Sequence, residues 1–192
     1  MDERLQDLLE AIGANDDLQT EQAARAAGQL GDAALPVLRD LLASERRDHR
    51  WWAARVLAAV GTPKATSCLI GALEDSDPDV RACAIVGLAG LQPPEALAPL
   101  IARLSDPSAY VARLAADALG QFGQPAAASL IVVLKEGDAA ARAGAARALS
   151  AIQPEEAISA LCAALDDPST LVTYYAEEAL EKMGVGLVLF KP

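Results

Sequence analysis

Six times along the chain the same short helical phrase closes on the same kind of residue. QAARAAGQLG ends at Gly31, WAARVLAAVG at Gly61, AIVGLAGLQ at Gln92, AADALGQFG at Gly123, AARALSAIQ at Gln153 and AEEALEKMG at Gly184. Successive closing residues are 30, 31, 31, 30 and 31 positions apart. A period held this closely over the whole sequence is the signature of a stacked repeat. Four of the six closing residues are glycine, the residue that ends a helix in a left-handed turn without a side-chain clash.

Asp75 to Gln92 (DSDPDVRACAIVGLAGLQ) is the clearest copy of the closing helix. Asp77 is placed to cap it, and Pro78 takes the first helical position, where its missing N–H costs nothing. Val80, Ala84, Gly87, Leu88 and Leu91 fall on one face of a 3.6-residue helix. An earlier helix opens each unit. TPKATSCLIGALED, PPEALAPLIARLSD, QPAAASLIVVLKEGD and PEEAISALCAALDD each start at a proline and carry one apolar stripe, Leu97, Leu100, Ile101 and Leu104 in the second of them. Each unit is therefore helix A, a short turn and helix B. Neither helix buries its stripe alone, so stacked units share one core. The units are expected at about 1–31, 32–61, 62–92, 93–123, 124–153 and 154–184, followed by an apolar tail at 185–192.

The pattern D-P-x-V-R-x-x-A-x-x-x-L-x-x-L, carried by Asp77, Pro78, Val80, Arg81, Ala84, Leu88 and Leu91, resembles the HEAT-like repeats of the phycobilin-lyase type. The resemblance implies an all-α, right-handed α-solenoid over nearly the whole chain. Ala112 and Thr173 replace the arginine of the pattern, so a ladder of arginine ion pairs along the repeats is expected to be incomplete.

Composition narrows the function classes. Apolar residues make up 53% but aromatic ones only 4%, so the core is built from Ala, Leu and Val. No apolar run reaches the ~20 residues of a membrane span, and MDERLQDLLE has no signal-peptide core; a cytoplasmic protein is expected. A net charge of −11 argues against a nucleic-acid partner. Cys68, Cys83 and Cys162 fit no zinc or redox spacing and read as buried thiols. One histidine excludes multi-histidine metal sites, including the repeated His-Glu pairs of a dinuclear-iron hydroxylase in the same family. No phosphate loop, nucleophile elbow or Cys-His pair is present. Asp16, Asp17, Asp166 and Asp167 precede B helices and read as caps. No cofactor, metal or catalytic residue is expected.

Local departures from the repeat mark three places. The first A helix is read at Asp2–Ile12, the second at about Ala33–Ala43, and Pro99 lies deep enough in its helix to kink it. SERRDHR replaces the usual Asp-Pro turn before Trp51. It gathers Arg46, Arg47 and Arg50 beside His49, either as a solvated turn or as an anion contact. The tail GVGLVLFKP is too apolar to stand free in water; it reads as a cap on the last repeat or as a strand docking on a partner or a second copy.

Packing fixes the core positions of a stacked array, so specificity lies in the positions that vary. The family resemblance places the varying positions of helix B on the inner, concave face. They are Trp51, Trp52 and Arg55 in the second unit, with Asp79, Cys83 and Val86 in the third. The fourth contributes Tyr110, Arg113, Leu114 and Asp117, and the fifth Ala140, Ala143, Gly144 and Arg147. The sixth supplies Tyr174, Tyr175 and Glu178. Both tryptophans and all three tyrosines fall in this set, and such side chains are typical binding anchors. Trp51 and Trp52 sit 100° apart on a helix, so one ring is expected to tuck between helices. The sequence thus reads as a non-enzymatic module gripping a protein or peptide. The resemblance also admits a lyase-like subunit handling a linear tetrapyrrole and its acceptor protein, and, against the charge, a helical-repeat DNA binder.

Overall fold

The computed structural model describes residues 2–14 and 16–185. The expectations for the C-terminal tail lie outside the described residues, apart from Val185. The described chain is helical, with twelve α-helices and no strand. By packing it divides into two compact units, residues 1–93 and 94–192.

The first unit holds three helical hairpins. These are α1 (Glu3–Ala14) with α2 (Asp17–Gly28), α3 (Leu35–Leu42) with α4 (Arg47–Val60), and α5 (Pro63–Ala72) with α6 (Pro78–Leu91). The B helices α2, α4 and α6 pack side by side in that order. The second unit repeats the plan. It pairs α7 (Leu97–Ala102) with α8 (Ala109–Phe122), α9 (Gln124–Glu136) with α10 (Ala139–Ile152), and α11 (Ile158–Ala163) with α12 (Thr170–Lys182). There α10 packs against both α8 and α12.

The period shows first in the core. One leucine from each A repeat (Leu8, Leu38, Leu69, Leu100, Leu130, Leu161) is fully buried. So is the eleventh residue of each B helix from α4 onward: Leu57, Leu88, Leu119, Leu149 and Leu180. Each such side chain contributes about 1.5–3 kcal/mol by leaving water. Between B helices the contact is backbone-close. A Cβ added at Gly28 would meet the Ala59 Cβ at 2.7 Å, and one at Gly87 the Ala58 Cβ at 2.8 Å.

All six closing residues have positive φ, from 50° at Gln92 to 75° at Gly184. Glutamine at 92 and 153 adopts the left-handed conformation that Gly61 also takes, so repeat geometry overrides the usual residue preference there. Asp16, Asp77 and Asp138 cap α2, α6 and α10, each accepting a backbone N–H at 2.9–3.0 Å.

The boundaries differ from the sequence reading in two places. The first A helix runs on to Ala14, and α3 is shorter than expected because Gly31–Ala34 is a 3₁₀ turn. Pro99 does not kink a helix interior. It is the third residue of α7, which a separate 3₁₀ turn at Pro94–Ala96 precedes. The N–H that proline lacks belongs to the first helical turn, where backbone donors have no partner within the helix.

Candidate functional site

The B helices begin in register, so equivalent residues are compared by their place in the helix. The arginine of the repeat pattern is the fourth residue. Arg50 and Arg142 each grip an aspartate 25 positions on, in the turn before the next B helix. Arg50 donates to Asp75 at 2.7 and 3.0 Å, and Arg142 to Asp167 at the same two distances. Both arginines also donate back to carbonyls of their own turn, Ser44 and Glu45 for the one and Gly137 for the other. Arg81 makes the same backward bonds, to the Asp75 and Ser76 carbonyls. The Arg142 guanidinium holds the Asp167 carboxyl below its ordinary value. At Asp75 burial pushes upward, but Arg50 and the Asp77 N–H outweigh it and the net shift is downward. These ion pairs clamp successive repeats, and the alanine at 112 and threonine at 173 break the series.

This clamp alters the reading of the Arg46–Arg50 cluster as an anion contact. Arg50 is committed to Asp75, and Arg47 lies 2.9 Å from Asp48 and 3.6 Å from Asp79. Two of the three positive charges are therefore neutralised within the first unit. His49 is the third residue of α4, where Val80, Val111, Ala141 and Val172 are buried core residues. Its Nδ1 is 3.1 Å from the Ser44 hydroxyl. Burial first, and Arg46 second, push its pKa below the usual 6.5, while Asp48 pulls the other way. The unfolded chain therefore binds a proton more readily than the folded one, and stability falls as pH drops through 6.5 toward the folded value. We expect the urea midpoint to decline between pH 7 and 5.5, and to decline less in a His49→Val variant. Equal slopes in the two proteins would remove His49 from the account.

The candidate face is made by the second, fifth, sixth and ninth residues of the B helices. In the first unit Leu18 of α2 and Val86 of α6 are exposed, and Trp51 is half-buried. Trp52 is only 9% exposed and is a core residue, not an anchor. Its ring meets that of Trp51 edge-on, with centroids 4.9 Å apart. Arg55 donates to Glu21 at 2.6 Å. Cys83 is half-buried, its thiol 3.8 Å from the Trp51 carbonyl; burial pushes its pKa up to about 11, which makes it a poor nucleophile.

In the second unit Tyr110, Arg113 and Tyr174 are exposed, Leu114 and Tyr175 are half-buried, and Leu171, which the sequence reading did not include, is exposed beside them. The Arg113 guanidinium lies 5.7 Å from the centre of the Tyr110 ring. Tyr174 and Tyr175 meet edge-on at 5.2 Å. Arg147 is held on two sides. It donates to Asp117 at 2.6 Å and to the Tyr175 hydroxyl at 2.9 Å, and the Asp117 carboxylate leads in raising its pKa. Glu178 pairs with Lys182 at 2.8 Å. Two expected face residues turn out to be packing residues. Ala143 is buried, and a Cβ at Gly144 would strike Leu104 at 2.8 Å.

Cys83 and Tyr175, both sixth residues, lean onto the preceding B helix, the thiol toward the Trp51 carbonyl of α4 and the hydroxyl toward Arg147 of α10. Gly144, also a sixth residue, packs instead on Leu104 of the 3₁₀ turn Arg103–Ser105. Leu171 was legible: it is the second residue of α12, as Tyr110 is of α8. Among the described residues no three His, Cys, Asp or Glu side chains gather as a metal-ligand set, and no helix is long and apolar enough to cross a membrane.

The family model for HEAT repeats matches residues 5–89, 69–132 and 97–181. A designed armadillo repeat protein in complex with the peptide (KR)4 is similar in fold, with 19% identity, a TM-score of 0.51, and coverage of 95% of this chain and 100% of that one. An engineered protein is similar at 22% identity and a TM-score of 0.50, over 95% and 99% of the two chains. The complex of CpcE and CpcF of phycocyanin lyase from Nostoc sp. PCC7120 is similar at 26% identity and a TM-score of 0.56; the match spans 80% of this chain and 66% of that one. Among curated proteins none matches this sequence. With the repeat model matched over most of its length and helical hairpins stacked in both units, the chain belongs to the HEAT-repeat family.

Proposed function

We propose that the protein is a non-catalytic interaction module that holds a protein or peptide segment on the exposed face of its B helices. One observation carries this reading. Among the described residues six large apolar or aromatic side chains are exposed, and five of them, Leu18, Val86, Tyr110, Leu171 and Tyr174, stand at second, fifth or ninth positions of B helices. Only Val132 lies on an A helix. Scattered exposed hydrophobics are ordinary, whereas their concentration on one repeated register supports a binding face on the B helices of each unit. These side chains are 51–72% exposed, so they do little for the fold.

The test uses residues the fold does not need. The variant Tyr110→Ser/Leu171→Ser/Tyr174→Ser is expected to keep the wild-type circular dichroism and to lose a protein that the wild type retains in affinity capture. The same proteins captured by both would sink the reading.

Similarity to the phycocyanin lyase subunits favours a second reading, a subunit that handles a linear tetrapyrrole. On that reading mixing with a free bilin shifts its visible absorption band; an unchanged spectrum removes it.

A further inference from the structure

We infer that the segment received by the second unit is an amphipathic α-helix with a Lys/Arg-rich flank, lying along α10 between Tyr110 and Leu171; this rests on the binding role proposed above. The second residues of α8, α10 and α12 are Tyr110, Ala140 and Leu171, all three exposed. The fifth residues are Arg113, Ala143 and Tyr174. At these two positions the middle helix adds only methyl groups, Ala143 being buried, while bulk rises on either side of it; its ninth residue, Arg147, is tied to Asp117 and Tyr175. Packed helix axes lie ~8–10 Å apart, so α8 and α12 flank α10 at roughly 16–20 Å. That leaves room for a helix about 10–12 Å across.

Backbone chemistry selects a helix over an extended chain. An extended segment brings an N–H and a C=O per residue, and each needs a partner once water is excluded. This face has few to offer. Arg147 is engaged by Asp117 and Tyr175, Lys182 by Glu178 and Ser150, and Arg113 lies against Tyr110. Neither α10 nor α12 carries an Asn or Gln. A helix satisfies its own backbone and asks the surface only for apolar contact.

Charge sets the flank. Glu177 and Glu181 are exposed on α12 and, among the described residues, have no ion-pair partner, whereas α8 presents Arg113. The basic flank of the incoming helix is thus turned toward α12. The net charge of −11 favours the same sign of partner.

Two displayed peptide libraries decide it. One is built on a helix-forming Ala/Lys/Glu frame, the other has proline at every third position, which forbids a helix. Both are panned on the immobilised full chain and counter-selected on Tyr110→Ser/Leu171→Ser/Tyr174→Ser. We expect binders from the helical library only, with Lys and Arg enriched at every third or fourth position along one flank. Glu177→Lys/Glu181→Lys should weaken them about fivefold or more. Face-dependent binders from the proline library alone overturn the helix while leaving the binding role standing. Helical binders indifferent to the charge reversal overturn the basic flank. If neither library yields a binder that the serine variant loses, the helix and the binding role fall together.

Discussion

Trp52→Ala is expected to destabilise the protein by about 3–5 kcal/mol. Trp52 has 9% of its surface exposed, on a helix whose Ala53, Ala54, Val56 and Leu57 are all buried. Removing the ring leaves a cavity that α4, packed between α2 and α6, collapses only partly. Trp51→Ala, one residue earlier and half-buried, should cost about 1–2 kcal/mol. The edge-on contact at 4.9 Å couples the two rings, so a double-mutant cycle is expected to return an interaction of about 0.5–1.5 kcal/mol. Urea denaturation of both single variants and the double variant gives all three numbers. Equal losses from the two single changes would mean that both rings carry the same structural role. A second consequence concerns binding experiments: Trp52 is the wrong residue to alter, because a lost partner would report a damaged fold.

The fold was legible because its period is written in residues whose roles packing dictates. Leu57, Leu88, Leu119, Leu149 and Leu180 recur at one place in their helices, and each is buried where the pattern puts it. The left-handed turns at Gln92 and Gln153 were legible only from alignment with the glycines, since residue type alone points elsewhere. The face was half legible. A 3.6-residue period groups the second, fifth, sixth and ninth residues, and it does not say how far a neighbouring helix covers the group. The sixth position is where the difference shows: Trp52 is buried, as expected for one ring of the adjacent pair, Cys83 and Tyr175 are half-buried, and Gly144 packs on Leu104. The arginine of the repeat was visible, but its partner was not. Arg50 and Asp75 lie 25 positions apart, and only the stacking of one hairpin on the next brings a guanidinium to that carboxylate at 2.7 Å.

Leu149→Ala and Leu171→Ala make the same chemical change in rows with opposite duties, and their outcomes should separate completely. Leu149 is fully buried on α10, the helix that packs against both α8 and α12. Its truncation is expected to cost about 2–5 kcal/mol, read as a lower urea midpoint with an unchanged slope. Leu171 is 58% exposed on α12. Its truncation should change stability by no more than ~0.5 kcal/mol, since leucine and alanine are both good helix formers and little apolar area leaves or enters water. Binding reverses the order. Below the melting transition a Leu149→Ala protein still presents Tyr110, Leu171 and Tyr174 and should retain the segment that the face captures. A Leu171→Ala protein, as stable as wild type, should hold it about tenfold less tightly if Leu171 is one of the anchors. A Leu171→Ala protein that loses stability in step with Leu149→Ala would show that Leu171 belongs to the core, and the face would shrink to the tyrosines. Stability lost at 149 and affinity lost at 171 would instead separate, within one unit, the residues that make the solenoid from those that give it a partner.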